Sequence, residues 1–391
     1  MRSHHLLLLT TIALAFSLAP GTALAVPTYT VTDLGDLGGT FSLGFDVNDV
    51  GQVAGASLIP DDVGQHAFLW DSVSGIQDLG TLGGRFSQGI GINARGQITG
   101  NSLLPGPEIT GRVHAFLWEP ATGMRDLGTI SGGDGFSQGT DINDKGQVTG
   151  SSNIGDPNTP SHAILWDPAT GMRDLGTLDG DRVSLGQGIN ASGQVTGRSG
   201  TFDDTSGSYD AFLWDPATGM QDLGTRSGEF STGNDINDSG QVTGTNQISN
   251  ADFRAFLWDS VNGIQDLGTL GGRFSFGNGI NNNGQIVGSS EDASRSEYAF
   301  LWDGTGMFNL NDLITPGTGW TIISGEAIND AGQITGIGIN PNDQLHAFLL
   351  TPVTVTEVPE PGTLALISAA GIGLGLARHR RRQYDHCTIQ R

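Results

Sequence analysis

The chain has 391 residues, a formal net charge of −23 and a single cysteine, Cys387. One cysteine excludes an internal disulfide, so packing and strand pairing must supply stability. The acidic balance excludes nucleic acid and anionic lipid as partners of the body, and 62 Gly spread among Val, Ile, Thr and Phe, without helix-forming runs, exclude a helical fold.

The N-terminus carries Arg2, two His, an apolar core from Leu6 to Leu18, and Ala23-Leu24-Ala25 before Val26. A short apolar run closed by small residues at Ala23 and Ala25 is the plan of a secretory leader. Signal peptidase would cut it to leave a mature start near Val26. An uncleaved anchor is the alternative for residues 1–25.

From residue 29 onward one unit repeats. Its marker, His66-Ala67-Phe68-Leu69-Trp70, returns in copies that end at Trp118, Trp166, Trp214, Trp258, Trp302 and Leu350, at steps of 48, 48, 48, 44, 44 and 48 residues. A period of that size points to supersecondary units stacked or set in a circle, within one domain spanning 26–357. Each unit holds four short β-prone pieces. The first is exemplified by Thr140-Asp141-Ile142-Asn143, and a turn through Asp144-Lys145-Gly146 leads to the second, Gln147-Val148-Thr149-Gly150. The marker is the third, and Met124-Arg125-Asp126-Leu127-Gly128 exemplifies the fourth, with a degenerate copy at Asn311-Asp312-Leu313. The Asn-Asp-x-Gly and Pro-Ala-Thr-Gly links supply tight-turn backbone angles, so each unit reads as a four-stranded meander.

The third piece is apolar on both faces, Ala67 and Leu69 on one and Phe68 and Trp70 on the other, which requires cover from both sides. Seven such units describe a β-propeller of seven four-stranded blades. The chain begins with a fourth-strand piece, Tyr29 to Gly35, while the last unit lacks one apart from a candidate at Thr351 to Glu357. Placing Tyr29 to Leu34 in that vacancy closes the ring and removes its exposed edges. A β-solenoid is the alternative, although solenoid coils are usually shorter than this period. The pattern is similar in plan to tryptophan-aspartate repeat propellers. It more closely resembles the bacterial extracellular HAF repeats, named for the triplet at His66, His114, His162 and His346, with Asp210, Arg254 and Tyr298 replacing His in three units. That resemblance implies no established activity.

Residues 358–391 form a separate tail. Pro359-Glu360-Pro361 precedes an apolar run from Leu364 to Ala377 and a basic stop at Arg378, Arg380, Arg381 and Arg382. The run reads as a short transmembrane helix, with the Arg cluster held on the cytoplasmic side. Motif, span and stop in that order resemble the PEP-CTERM sorting signal of Gram-negative bacteria. The resemblance implies transient anchoring in the inner membrane, recognition by an exosortase-like enzyme, and release or attachment at the cell surface beside exopolysaccharide production. A plain C-terminal anchor is the alternative.

Candidate chemistry within the repeat is sparse. Equivalent His residues one unit apart sit on different blades, too far apart for one metal, so a structural role is expected for them. Asp46 and Asn48, Asp141 and Asn143, and Asp235 and Asn237 place oxygens at alternate positions, which makes them weak calcium candidates. Turn formation explains the same letters, and the bidentate acid of an EF-hand loop is missing. No phosphate loop, zinc pattern or nucleophile elbow is present, and no cofactor is expected. The irregular loops between second and third strands, such as Leu103 to Arg112, would gather on one rim as a ligand surface. These features predict a non-enzymatic, exported repeat protein that binds exopolysaccharide, extracellular matrix or surface proteins. The alternative is a secreted glycan hydrolase on the same scaffold.

Overall fold

A computed structural model describes residues 27–106, 112–133, 135–155, 160–202, 207–224, 230–249 and 252–353. The leader with Ala23 and Ala25, the sorting motif Pro359 to Pro361, the apolar run and the Arg stop lie outside these residues. Among the described residues no helix is long and apolar enough to cross a membrane.

Seven four-stranded antiparallel sheets form the ring of a seven-bladed β-propeller. Blade 1 runs Ser42–Val47, Val53–Leu58, Gln65–Asp71 and Gly75–Asp78, in the strand order read from the repeat. Blades 2 to 6 follow the same order, over 87–126, 137–174, 183–222, 231–266 and 271–309. Blade 7 joins Thr321–Ile328, Ile334–Ile339 and Leu345–Pro352 to the N-terminal strand Tyr29–Asp33. Tyr29 pairs with Pro352 and Asp33 with Phe348. Thr351 and Pro352, weighed as the start of a separate fourth strand, instead extend the third strand of blade 7.

Blade 6 corrects one reading of the repeat. Its fourth strand is Met307–Asn309, and Asn309 faces Phe300 as Asp266 faces Phe256 in blade 5. The copy of Asp-Leu is therefore Asn309-Leu310, with Leu310 fully buried, whereas 311–313 lie in a short helical turn, Leu310–Leu313, capped by the Asn309 side chain.

The two-faced third strand explains how blades adhere. Ala67 and Leu69 pack with Ile92, Ile98, Phe116 and Trp118 of blade 2, while Phe68 and Trp70 pack with Ala347 and Leu349 of blade 7. Phe68, Phe116, Phe212, Phe256, Phe300 and Phe348 are fully buried, and each such ring contributes about 1.5–3 kcal/mol of transfer free energy. Gly55 makes room for one of them: a Cβ there would lie 2.4 Å from the Phe68 ring. Serines tie neighbouring blades with hydrogen bonds. The Ser87 hydroxyl accepts the Ala67 N–H of blade 1 at 2.8 Å and donates to the Gly80 carbonyl at 2.5 Å; Ser42 does the same for Ala347 and Gly35 across the termini.

Tyr29 is fully buried and packs with Leu301, Leu310 and Phe348, so the N-terminal strand is a latch with its own core anchor. Tyr29→Ala is expected to cost about 3–5 kcal/mol, the range for truncating a buried aromatic. Tyr29→Phe keeps the ring and drops a hydroxyl without a protein partner in the described structure, so it should leave stability unchanged. Guanidinium unfolding of both variants checks this, and a Tyr29→Ala midpoint equal to wild type would dismiss the latch.

Candidate functional site

First strands line the axis of a propeller, so the functional geometry begins with them. In every blade the pairing of first and second strands slips by one residue, for example between Gly44 and Asp46 or Gly139 and Asp141. Such a bulge bends the strand and re-aims side chains. The extra residues, including Phe45, Thr140, Asn234, Asn278 and Glu326, line one axial mouth of about 260 Å³ together with Asp46, Asp141 and Asp235.

The opposite mouth, about 210 Å³, is framed by the Asn that ends each first strand. Asn48 Nδ2 donates to the Asn93 carbonyl of the next blade at 3.0 Å and to its own Gln52 Oε1 at 2.9 Å, while its Oδ1 accepts the Gln52 N–H. Asn93, Asn143, Asn190, Asn237 and Asn281 repeat the inter-blade bond at 3.0–3.1 Å. Asn329 returns to the Asn48 carbonyl at 2.9 Å, and the circle closes.

Three half-buried aspartates form a second set of ties. Asp46 Oδ1 accepts the Val47 N–H at 2.7 Å and Oδ2 accepts Ile92 N–H of blade 2 at 2.8 Å. Asp141 bridges Ile142 and Ile189, and Asp235 bridges Ile236 and Ile280, in the same way. Burial pushes the Asp46 carboxyl up to about 7 against the pull of its two N–H donors, with repulsion from Asp235 and Asp49 adding to the rise. Asp141 is raised well above the usual carboxylate range by burial, then by Asp46 and Asp235; burial also raises Asp235 and Glu326. Asp46, Asp141 and Asp235 are half-buried, with part of their surface bordering the channel.

The calcium candidates are thus separated by the fold. Asp46, Asp141 and Asp235 sit at the acidic mouth with both carboxylate oxygens on backbone donors, and Asn48, Asn143 and Asn237 belong to the Asn circle at the other mouth. Among the described residues no group of three or more His, Cys, Asp or Glu is placed to hold a metal ion. The histidines are likewise kept apart. His66, His114 and His162 each put Nδ1 on the fourth-strand aspartate of their own blade, Asp78, Asp126 and Asp174, at 2.9–3.0 Å. His346 uses Asp33 of the N-terminal strand at 2.8 Å, so the fourth pair spans the ring closure. In blade 4, Asp210 replaces His, and burial followed by the charges of Asp222 and Asp181 raises its carboxyl. Sequence reasoning missed both inter-blade sets, although the regular return of Ile-Asn and the alternation of Asp46, Gly91, Asp141, Gly188, Asp235 and Gly279 were visible signals.

Residues 357–382 match the family model described as the PEP-CTERM protein-sorting motif. The chain therefore carries the mark of a surface protein sorted by an exosortase-type enzyme. No curated protein matches it in sequence. Among solved structures it is similar to puromycin hydrolase at 12% identity and a TM-score of 0.52, covering 82% of this chain and 54% of that one. A Mycobacterium tuberculosis puromycin-hydrolyzing peptidase is similar at 9% identity and 0.52, covering 86% and 57%. TolB from Acinetobacter baumannii is similar at 13% and 0.44, covering 78% and 64%. The chain spans less than two thirds of the length of these proteins, and with the two puromycin-hydrolysing proteins the likeness is one of fold.

The raised carboxyls set the pH dependence of stability. With folded values above the ordinary 3.8, the native state holds more protons than the unfolded chain between about pH 4 and 7. Their contribution is full below about pH 4 and declines as pH rises, that of Asp46 being lost as pH passes about 7. Asp71, Asp167 and Asp215, lowered chiefly by backbone N–H bonds, act in the opposite sense, below pH 4. The thermal midpoint is expected to fall steadily from pH 5 to pH 8; a flat or rising profile would show that the channel acids are ionised throughout.

Proposed function

We propose that the exported protein is a non-enzymatic propeller that binds extracellular polysaccharide at the cell surface. The observation that carries this reading is the use of the channel carboxylates: Asp46, Asp141 and Asp235 each hold two backbone N–H groups across a blade boundary. An acid tied in this way serves the scaffold rather than a glycosidic oxygen. In this reading signal peptidase removes residues 1–25, the segment from Leu364 to Ala377 holds the precursor in the inner membrane, and an exosortase-type enzyme acts near Pro359 to Pro361.

The geometry then sets the orientation. Pro352 lies against Gly332 in a turn of the Asn circle, and the Val353 N–H donates to the Thr28 carbonyl, so both ends leave the ring on that face. The six residue steps from Val353 to Pro359 reach at most about 20 Å. A tail held in the membrane keeps the Asn-circle face inward and presents the acidic mouth and the loops between second and third strands outward.

The raised acids at that mouth favour a second reading, a glycan hydrolase in which one of them is a general acid. Incubating the surface-recovered protein with the organism's own exopolysaccharide separates the two. Co-sedimentation without release of reducing ends is expected; released oligosaccharide establishes the hydrolase, and no co-sedimentation removes the polysaccharide reading. Sorting is tested by replacing Pro359, Glu360 and Pro361 with Ala, which should leave an unprocessed precursor in the membrane fraction. Unchanged processing and location would mean that another signal directs export.

A further inference from the structure

Repetition itself offers a way to find a binding site in this protein, because a residue that holds blades together must recur and one that holds a ligand need not. On the outward face, blades 4 to 6 break the pattern together. Phe253 stands where other blades have Gln65, Val113, Ser161 or Leu345, and Phe276 stands where they have Leu43, Gln88, Leu185 or Ser324. Arg198 takes the place of Ala56, Asn101, Ser151 or Ile337. These same three blades lack the His of the third strand.

The departures meet in space. Tyr209, Phe230, Phe253 and Phe276 form a row with centroid distances of 5.9, 6.1 and 6.1 Å, crossing from blade 4 through blade 5 to blade 6. The Arg198 guanidinium lies over Tyr209 at 4.9 Å and closes one end. Unlike the fully buried core phenylalanines, every ring of the row is partly exposed. Between Phe230, Phe253 and Phe276 is a cleft of about 690 Å³, and its other walls are amides and hydroxyls, among them Thr245, Gln247, Asn234 and Asn278. Asn234 and Asn278 also border the acidic axial mouth, so the cleft and the mouth share two wall residues. Thr245 is 2% exposed, and neither its hydroxyl nor the Gln247 amide has a side-chain partner among the described residues. Both are left with hydrogen-bonding capacity directed at whatever fills the cleft.

We infer that this cleft is the glycan subsite and that it takes a neutral hexose segment of a polysaccharide; the inference rests on the binding function proposed above. The C–H face of a pyranose matches the Phe rings, whose negative faces attract weakly polarised C–H groups, and its hydroxyls match Thr245 and Gln247. An acyl chain would cover those two groups without pairing them. Charge decides between sugars. No charged side chain lines the cleft, and the chain carries −23 overall. Uronic-acid and sulfated polymers are repelled by the negative net charge.

Calorimetric titration of the surface-recovered protein with neutral gluco-, manno- and galacto-hexasaccharides, with alginate, and with a fatty acid tests the assignment. Binding of at least one neutral hexasaccharide is expected. The double variant Phe253→Ser, Phe276→Gln imports residues that other blades already carry, so it should keep the thermal midpoint and weaken binding at least tenfold. Val113→Ser, the matching position in blade 2, should change nothing. The cleft assignment is overturned if the double variant binds as well as wild type, or if only alginate, the fatty acid or neither is bound. If the native exopolysaccharide still co-sediments with the double variant, the function stands and the site is elsewhere. Hexasaccharide binding without co-sedimentation keeps the site and removes the native matrix as its target.

Discussion

Seven side-chain amides hold the centre of this molecule. Each Asn at the end of a first strand accepts the N–H of its own Gln, in five blades that of the residue two places on as well, and donates two hydrogens, one to its own Gln and one to the next blade's carbonyl. Asn is the short side chain with an acceptor and two donors on one rigid plane. Asp lacks the donors, and Ser lacks the reach to serve three partners. The same residue that shapes the turn therefore also counts the blades, since the donation from Asn329 to Asn48 is possible only when the ring has come full circle. Everything outward, including the packing of Phe68 against blade 7 and of Leu69 against blade 2, depends on blades being held at that spacing.

The acidic mouth obeys a different rule, because its repeat is two blades long. Asp and Gly alternate from Asp46 to Gly279, and the Asp of one blade caps the N–H that follows the Gly of the next. The Gly is needed sterically as well. A Cβ at Gly91 would lie 2.8 Å from the Asp141 backbone, and one at Gly188 would lie 2.9 Å from that of Asp235. An alternation of period two cannot close on seven blades. The mismatch falls on blade 7, where Ala327 replaces Asp, and Glu326 one residue earlier brings its carboxylate into the mouth.

Much of the fold was legible because the repeat writes it seven times. Strand order, the two covered faces of the third strand and the N-terminal latch follow from spacing and alternation, which are local properties of the chain. The inter-blade bonds were not legible, because they depend on the curvature that brings residues about one unit apart into contact. Asp46 and Asn48 illustrate the difficulty: as letters they resemble loop ligands, yet a one-residue bulge turns Asp46 toward one mouth while Asn48 frames the other. The fourth strand of blade 6 was misplaced by three residues for a simpler reason. Asn309-Leu310 and Asp312-Leu313 offer the same local pattern, and only the burial of Leu310 selects between them.

The same contrast between repeated and singular residues bears on how such a ring can carry function. A substitution at the Asn circle or the serine ties disturbs two blades and the closure they share, so these positions are constrained in every unit. Positions on the face of the acidic mouth, such as 253 and 276, make no inter-blade tie of their own and differ from blade to blade. Aromatic rings can accumulate there without cost to closure, provided that their exposed area stays within a cleft rather than on an open patch. The row from Tyr209 to Phe276 meets that condition by bridging two blade boundaries, where the grooves between sheets already exist. A propeller of near-identical blades thus acquires one distinct side without altering the interactions that close it.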